Sequence, residues 1–173
     1  MSSSTLPDAS PLGPGIMPTA RSGTWYFLTL IIHQREPLLG QVSEGKLALT
    51  PAGLEVARAW KYSAAIRKEI HLGPWMVMPD HFHALVRVSG PLAEVPTMTR
   101  SALFRAPRIP GPLGSLIAGF KMGSSREVNR IRGTPRMRLW RRGVLYRLVP
   151  PETLEATAKF ILENPRQWLK EHP

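Results

Sequence analysis

From His81 to Val88 the sequence alternates with a period of two. Phe82, Ala84, Val86 and Val88 fall on one side of an extended chain, and His81, His83, Leu85 and Arg87 on the other. A strand with one such apolar side belongs in a sheet, so the chain needs partners for it. Trp25 to His33 (WYFLTLIIH) is dense in β-branched and aromatic residues and reads as a first strand. Glu69 to Met78 reads as another, separated from His81 by the tight break Pro79-Asp80.

Helical segments alternate with these strands. Gln41–Val42 and Lys46–Thr50, joined through Glu44-Gly45, form a small predicted hairpin. Thr50-Pro51 then supplies an N-cap and a first-turn proline. The helix they open runs to about Lys68, with Leu54, Ala57, Trp60 and Ala64 as its core stripe. Gly114 to about Arg132 is a second predicted helix, with Gly123-Ser124 as its weak point, and Arg138 to Val149 a basic extended segment. Pro151-Glu152 opens a last helix that is expected to stop before Pro165; its stripe is Leu154, Ala158, Ile161 and Leu162. Residues 1–22, rich in Ser, Pro, Gly and Ala, are expected to be a disordered tail, and residues 23–173 one domain. Gly90 to Pro112 is a long Pro-rich loop inside that domain. The order of elements predicts an α+β fold of ferredoxin-like type, an antiparallel sheet with helices on one face.

Charge narrows the function. The chain has 173 residues with 43% hydrophobic, an ordinary globular share, and a net charge of +11. Between Arg100 and Arg147 eleven Arg and one Lys stand against a single Glu, so the excess is concentrated there. Arginine grips phosphate oxygens with two parallel hydrogen bonds. A polyanion partner, most simply nucleic acid, is the expectation; a solvated basic face is the bland alternative. A membrane surface fits less well, because the basic segment lacks a long amphipathic helix, and no apolar run approaches the ~18 residues of a membrane span. No secretory leader is evident, and with no cysteine the chain has neither disulfides nor thiolate metal ligands. Four aromatics lie in or near the basic stretch: Phe104, Phe120, Trp140 and Tyr146. Trp140, flanked by Arg138, Arg141 and Arg142, is the candidate for stacking on unpaired bases; the others read more simply as core.

Side chains two apart on a strand point the same way, ~6.5–7 Å apart along the chain. His81 and His83 therefore present two imidazoles on one face, with Phe82 as an anchor in the core. Such a pair can hold one metal ion if a third polar ligand joins it. The alternative is two half-exposed histidines on a polar sheet face.

The stretch Val77-Met78-Pro79-Asp80-His81-Phe82-His83-Ala84-Leu85-Val86 resembles the metal-binding segment of the REP-associated and insertion-sequence single-tyrosine (HUH) transposases. Other blocks resemble the same family, in the same order. They are Trp25–Leu30 with Gln34–Gly40, Gly45–Gly53, Gly114–Lys121, Leu139–Arg142 and Phe160–Trp168. The resemblance spans Trp25 to Trp168. It implies that His81, His83 and a polar residue on the last helix, here Asn164, hold Mg²⁺ or Mn²⁺. It also implies a homodimer acting on single-stranded or hairpin DNA. Lys121, Arg126, Arg130, Arg138, Trp140, Arg141 and Arg142 are the DNA-binding candidates. A bacterial cytoplasmic, nucleoid-associated location is expected.

In that family a tyrosine on the last helix attacks the phosphate and forms a 5′-phosphotyrosine. Here the aligned segment reads Phe160-Ile161-Leu162-Glu163-Asn164-Pro165, and phenylalanine cannot form a phosphoester. At ~100° per residue Phe160 and Asn164 share a side of the helix, off the core stripe. Tyr146, in Val144-Leu145-Tyr146-Arg147, is the candidate substitute nucleophile. Metal-dependent nicking and joining is thus the implied family activity, with its nucleophile missing at the aligned position. The alternatives are an inactive, domesticated DNA-binding protein, a nuclease that uses water, and a basic RNA-binding module.

Overall fold

The computed structural model describes residues 23–89, 109 and 111–171. The expected tail over residues 1–22 and nearly all of the loop expected over 90–112 lie outside them. The elements are β1 (Thr24–Ile31), β2 (Gly40–Ser43), β3 (Lys46–Leu49), α1 (Pro51–Ala65), β4 (Ile70–Val77), β5 (His81–Val88), α2 (Gly111–Arg132), β6 (Leu145–Leu148) and α3 (Leu154–Glu171). Short 3₁₀ turns at His33–Arg35 and Pro151–Thr153 precede β2 and α3. Among the described residues no helix is long and apolar enough to cross a membrane.

The main sheet runs β4-β5-β1-β6, antiparallel at every pairing, and β2 and β3 form a separate hairpin. That order is the ferredoxin-like one, and the α+β class follows. One side of the sheet gives Leu28 and Leu30 from β1 and Phe82, Ala84 and Val86 from β5 to a core under α1 and α2. Trp60 and Phe120 are fully buried there. The other side is covered too. Trp25, Met76, Met78 and Leu85 pack against Leu154, Ala158 and Ile161 of α3. The expectation of helices on one face therefore holds for α1 and α2 only, and α3 occupies the face that carries the histidines.

Local chemistry explains the element boundaries. Thr50 Oγ1 accepts from Gly53 N at 3.1 Å and donates to Leu38 O at 2.8 Å, so the cap also ties α1 to the preceding turn. A Cβ on Gly53 would lie 1.9 Å from Leu39 O, which leaves only glycine at that position. The buried stripe of α1 includes Val56 with Ala57, Trp60 and Ala64, while Leu54 is only half-buried. β4 contains Pro74, and the register slips between Leu72 and Trp75. As an edge strand it tolerates the missing N–H there.

Two helix boundaries differ from expectation. α2 is continuous through Gly123-Ser124, and Ser124 Oγ satisfies itself within the helix by donating to Phe120 O at 2.6 Å. α3 continues through Pro165 to Glu171. Proline forfeits a single backbone bond to the preceding turn. The extra turn places Trp168 against the α3 core and 5.9 Å, ring to ring, from His81. The segment expected to be extended over Arg138–Val149 pairs as a strand only at Leu145–Leu148, with one isolated bridge between Ile32 and Trp140.

Candidate metal and nucleic-acid site

β5 lies beside β1 with His81 opposite Ile31 and His83 opposite Thr29. Both imidazoles point to the α3 side of the sheet, with ring centroids 4.5 Å apart. A hollow of about 230 Å³ opens over them, lined by Thr29, Ile31, Arg35, His81, His83, Leu145, Phe160, Asn164, Gln167 and Trp168. The α3 contribution follows from helical spacing. Leu154, Ala158 and Ile161 face the sheet, so Phe160, Asn164, Gln167 and Trp168 lie along the flank beside the histidines.

Each imidazole has one nitrogen already engaged. His81 Nδ1 lies 2.5 Å from Asp80 Oδ1, and His83 Nδ1 lies 2.9 Å from Thr29 Oγ1. The Asp80 carboxylate can only accept, so His81 Nδ1 carries the hydrogen and the neutral ring has its lone pair on Nε2. Nε2 faces Asn164 Oδ1 at 3.3 Å. Two lone pairs at that distance repel unless a proton or a cation stands between them.

Asp80 is 3% exposed and also accepts from Arg35 Nη1 at 3.0 Å. Burial alone would push its carboxyl up. The hydrogen bonds and charges of His81 and Arg35 overcome that and hold it below the usual carboxylate range. His83 is 8% exposed, stacked on Phe27 at 5.1 Å and 5.6 Å from the Phe160 ring. Burial first, and the neighbouring His81 second, lower its pKa from 6.5 to about 3. His83 is therefore neutral near pH 7, as a metal ligand must be.

Among the described residues no three His, Cys, Asp or Glu side chains are grouped to hold a metal. A third protein ligand in this hollow would have to be a neutral oxygen, such as Asn164 Oδ1, 3.3 Å from His81 Nε2. Two imidazoles, each oriented by a hydrogen-bonding partner, and one buried amide oxygen fit a divalent cation such as Mg²⁺ or Mn²⁺ with open positions for substrate.

The sequence candidates separate on the structure. His81, His83, Asn164 and Phe160 converge. Tyr146 does not join them. It pairs opposite Leu28, the residue next to Thr29, and so faces the α1 and α2 side of the sheet; Leu145, opposite Thr29, lines the hollow instead. Trp140 is 4% exposed, and its indole Nε1 donates to Ser124 Oγ at 2.9 Å, so it is a core residue and not a stacking platform. Lys121 is also internally committed. Its Nζ donates to Arg141 O at 2.8 Å and Gly143 O at 2.9 Å, and burial lowers its pKa. It fixes the loop that presents Arg141 and Arg142, which line a second hollow sharing Thr29, Ile31 and Leu145 with the first. Arg138 is exposed, while Arg126 and Arg130 pair with Glu127 on the outer flank of α2, away from the histidines. Thr29 and Arg35 were missed as site residues. Strand register brings in the first and a turn the second, and neither has a local sequence signature.

No protein-family model matches the chain. A protein of Haemophilus influenzae without an assigned function is 20% identical over 152 residues, covering 86% of this chain and 83% of that one. Among solved structures, a REP-associated tyrosine transposase bound to a REP hairpin superposes with a TM-score of 0.54. It is 14% identical and covers 87% of this chain and 71% of that chain. A candidate transposase of Deinococcus radiodurans R1 aligns with a TM-score of 0.48 and 15% identity. The chain thus shares the fold of the REP-associated tyrosine transposase.

Proposed function

We propose that this protein is a transposase-like binder of single-stranded or hairpin DNA whose pocket takes a divalent cation, and that it lacks the side chain needed for covalent strand attack. The observation that carries the reading is the meeting of His81, His83 and Asn164, with Phe160 at the mouth of the same hollow. The rings of Phe160 and His83 are 5.6 Å apart, and Phe160 is 39% exposed.

Mg²⁺ or Mn²⁺ held by His81 Nε2, His83 Nε2 and Asn164 Oδ1 would neutralise charge on a phosphate oxygen. The chain's own residues do the rest. Asp80 fixes the His81 tautomer that leaves Nε2 free, and Thr29 orients the His83 ring. Arg141 and Arg142, on the loop held by Lys121, offer bidentate contacts to the DNA backbone beside the pocket. Phe160 offers a ring face to an unpaired base and no nucleophile. The expected homodimer belongs to the same proposal. β6 is an edge strand of the described sheet, with Leu145 63% and Leu148 43% exposed.

The test is a labelled hairpin oligonucleotide with a single-stranded flank, incubated with protein and Mn²⁺ and resolved under denaturing conditions. Wild type binds the hairpin and forms no covalent adduct. Phe160→Tyr forms one, the phenolic oxygen bonding to phosphorus as a 3′-hydroxyl leaves, and adding His81→Ala abolishes it. An adduct in the wild type contradicts the assignment of Phe160. Failure of the wild type to bind the hairpin contradicts the whole reading.

A further inference from the structure

Gln34 and Arg35 stand side by side with φ of 59° and 54°. Neither is glycine, and non-glycine residues seldom enter this left-handed region. Consecutive residues hold such a conformation only where their surroundings over-determine it, and such places cluster at functional sites. The surroundings here are well defined. Arg35 N donates to Ile32 O at 3.0 Å, Ile32 N to Asp80 O at 2.8 Å, and His33 N to Leu139 O at 2.8 Å. The turn is clamped between the start of β5 and the segment before β6.

This turn delivers the Arg35 side chain to the rim of the His81–His83 hollow. Nη1 meets Asp80 Oδ2 at 3.0 Å, yet the Arg35 side chain is 63% exposed while that of Asp80 is 4% exposed. The guanidinium is therefore an open group with a buried anchor. An ordinary surface ion pair contributes little and needs no unusual backbone to form. A guanidinium carries five N–H donors, so Arg35 can keep its bond to Asp80 and still grip a phosphate with the rest of its fork. Arg141 and Arg142 border the adjoining hollow, so further cations lie next to the pocket.

We propose that Arg35 is a phosphate-gripping residue: it holds the DNA backbone at the rim of the pocket, with Asp80 as its anchor. The inference rests on the reading of this pocket as a DNA site and adds a contact to it. Arg35 positions the strand and takes no part in bond making. Asp80 also holds His81 Nδ1, so the grip and the ring belong to one rigid unit.

The experiment measures binding of a fluorescent hairpin oligonucleotide by anisotropy, in chelator, across a series of salt concentrations. Arg35→Gln is compared with wild type and with Arg58→Gln, which removes an exposed arginine of α1, on the sheet face away from the histidines. Losing one charged hydrogen-bonding contact predicts a roughly ten- to hundredfold weaker affinity for Arg35→Gln. The salt slope falls by about 0.7–0.9. Arg58→Gln keeps both values. Arg35→Lys keeps the charge without the fork, so it retains the slope and loses affinity. It decides the matter if Arg35→Gln does not fold. Unchanged affinity and slope in Arg35→Gln, or equal losses in Arg35→Gln and Arg58→Gln, overturn the grip while leaving the DNA site standing. A wild-type protein that does not bind the oligonucleotide overturns both.

Discussion

Acidification in the absence of metal tests the environment of His83 directly. The ring is 8% exposed, stacked on Phe27 and bonded to Thr29, and its pKa is lowered from 6.5 to about 3. Above pH 6.5 neither the folded nor the unfolded chain protonates this residue, and its contribution to stability is fully present. As pH falls below 6.5 the unfolded chain gains a proton that the folded chain refuses, so stability is lost progressively toward pH 3. At about pH 5.5 the loss from this residue is on the order of 1 kcal/mol relative to about pH 7.5, where it is negligible. With a urea slope of about 1–3 kcal/mol/M, the midpoint drops by roughly 0.3–1 M. Urea denaturation in chelator at the two pH values, for wild type and His83→Gln, isolates the effect. Wild type is expected to lose about 1 kcal/mol more than the variant. Parallel losses in the two proteins would refute the argument that His83 is buried and neutral.

The remaining predictions concern single contacts. Ser124→Ala strips the acceptor from the buried Trp140 indole and is expected to cost about 1–3 kcal/mol in chemical denaturation, leaving DNA affinity intact; a selective loss of single-strand binding would restore Trp140 as a stacking residue. Asp80→Asn removes the carboxylate that orients His81, and calorimetric titration is expected to show Mn²⁺ binding weakened about 10- to 100-fold; unchanged affinity would separate Asp80 from the metal site. Tyr146→Phe, placed in a Phe160→Tyr background, leaves adduct yield unchanged in the hairpin assay; a loss would mean that Tyr146 reaches the pocket despite its register opposite Leu28.

Local patterns revealed the parts of this molecule that local patterns control. The period of two at His81–Val88 put both imidazoles on one face, Thr50-Pro51 placed the start of α1, and helical spacing set Phe160 beside Asn164. What failed depended on distant contacts. Trp140 is surrounded in sequence by arginines, but its bridge to Ile32 and the Ser124 hydroxyl draw it into the core. Nothing in Val144–Arg147 says which way Tyr146 points until β6 takes its register on β1. Pro165 looked like a stop because one backbone bond is lost there; the packing of Trp168 one turn later offsets that loss. Lys121 reads as a phosphate contact in any basic stretch, and only the folded loop reveals its two carbonyl partners.

The most direct test of the proposed metal centre is diffraction from crystals grown with Mn²⁺, with anomalous data collected at the manganese edge. The account predicts a single ion per chain between β5 and α3, within bonding distance of His81 Nε2, His83 Nε2 and Asn164 Oδ1. An ion bound elsewhere, or none at this position with the His81 and Asn164 side chains directly hydrogen-bonded, would contradict it.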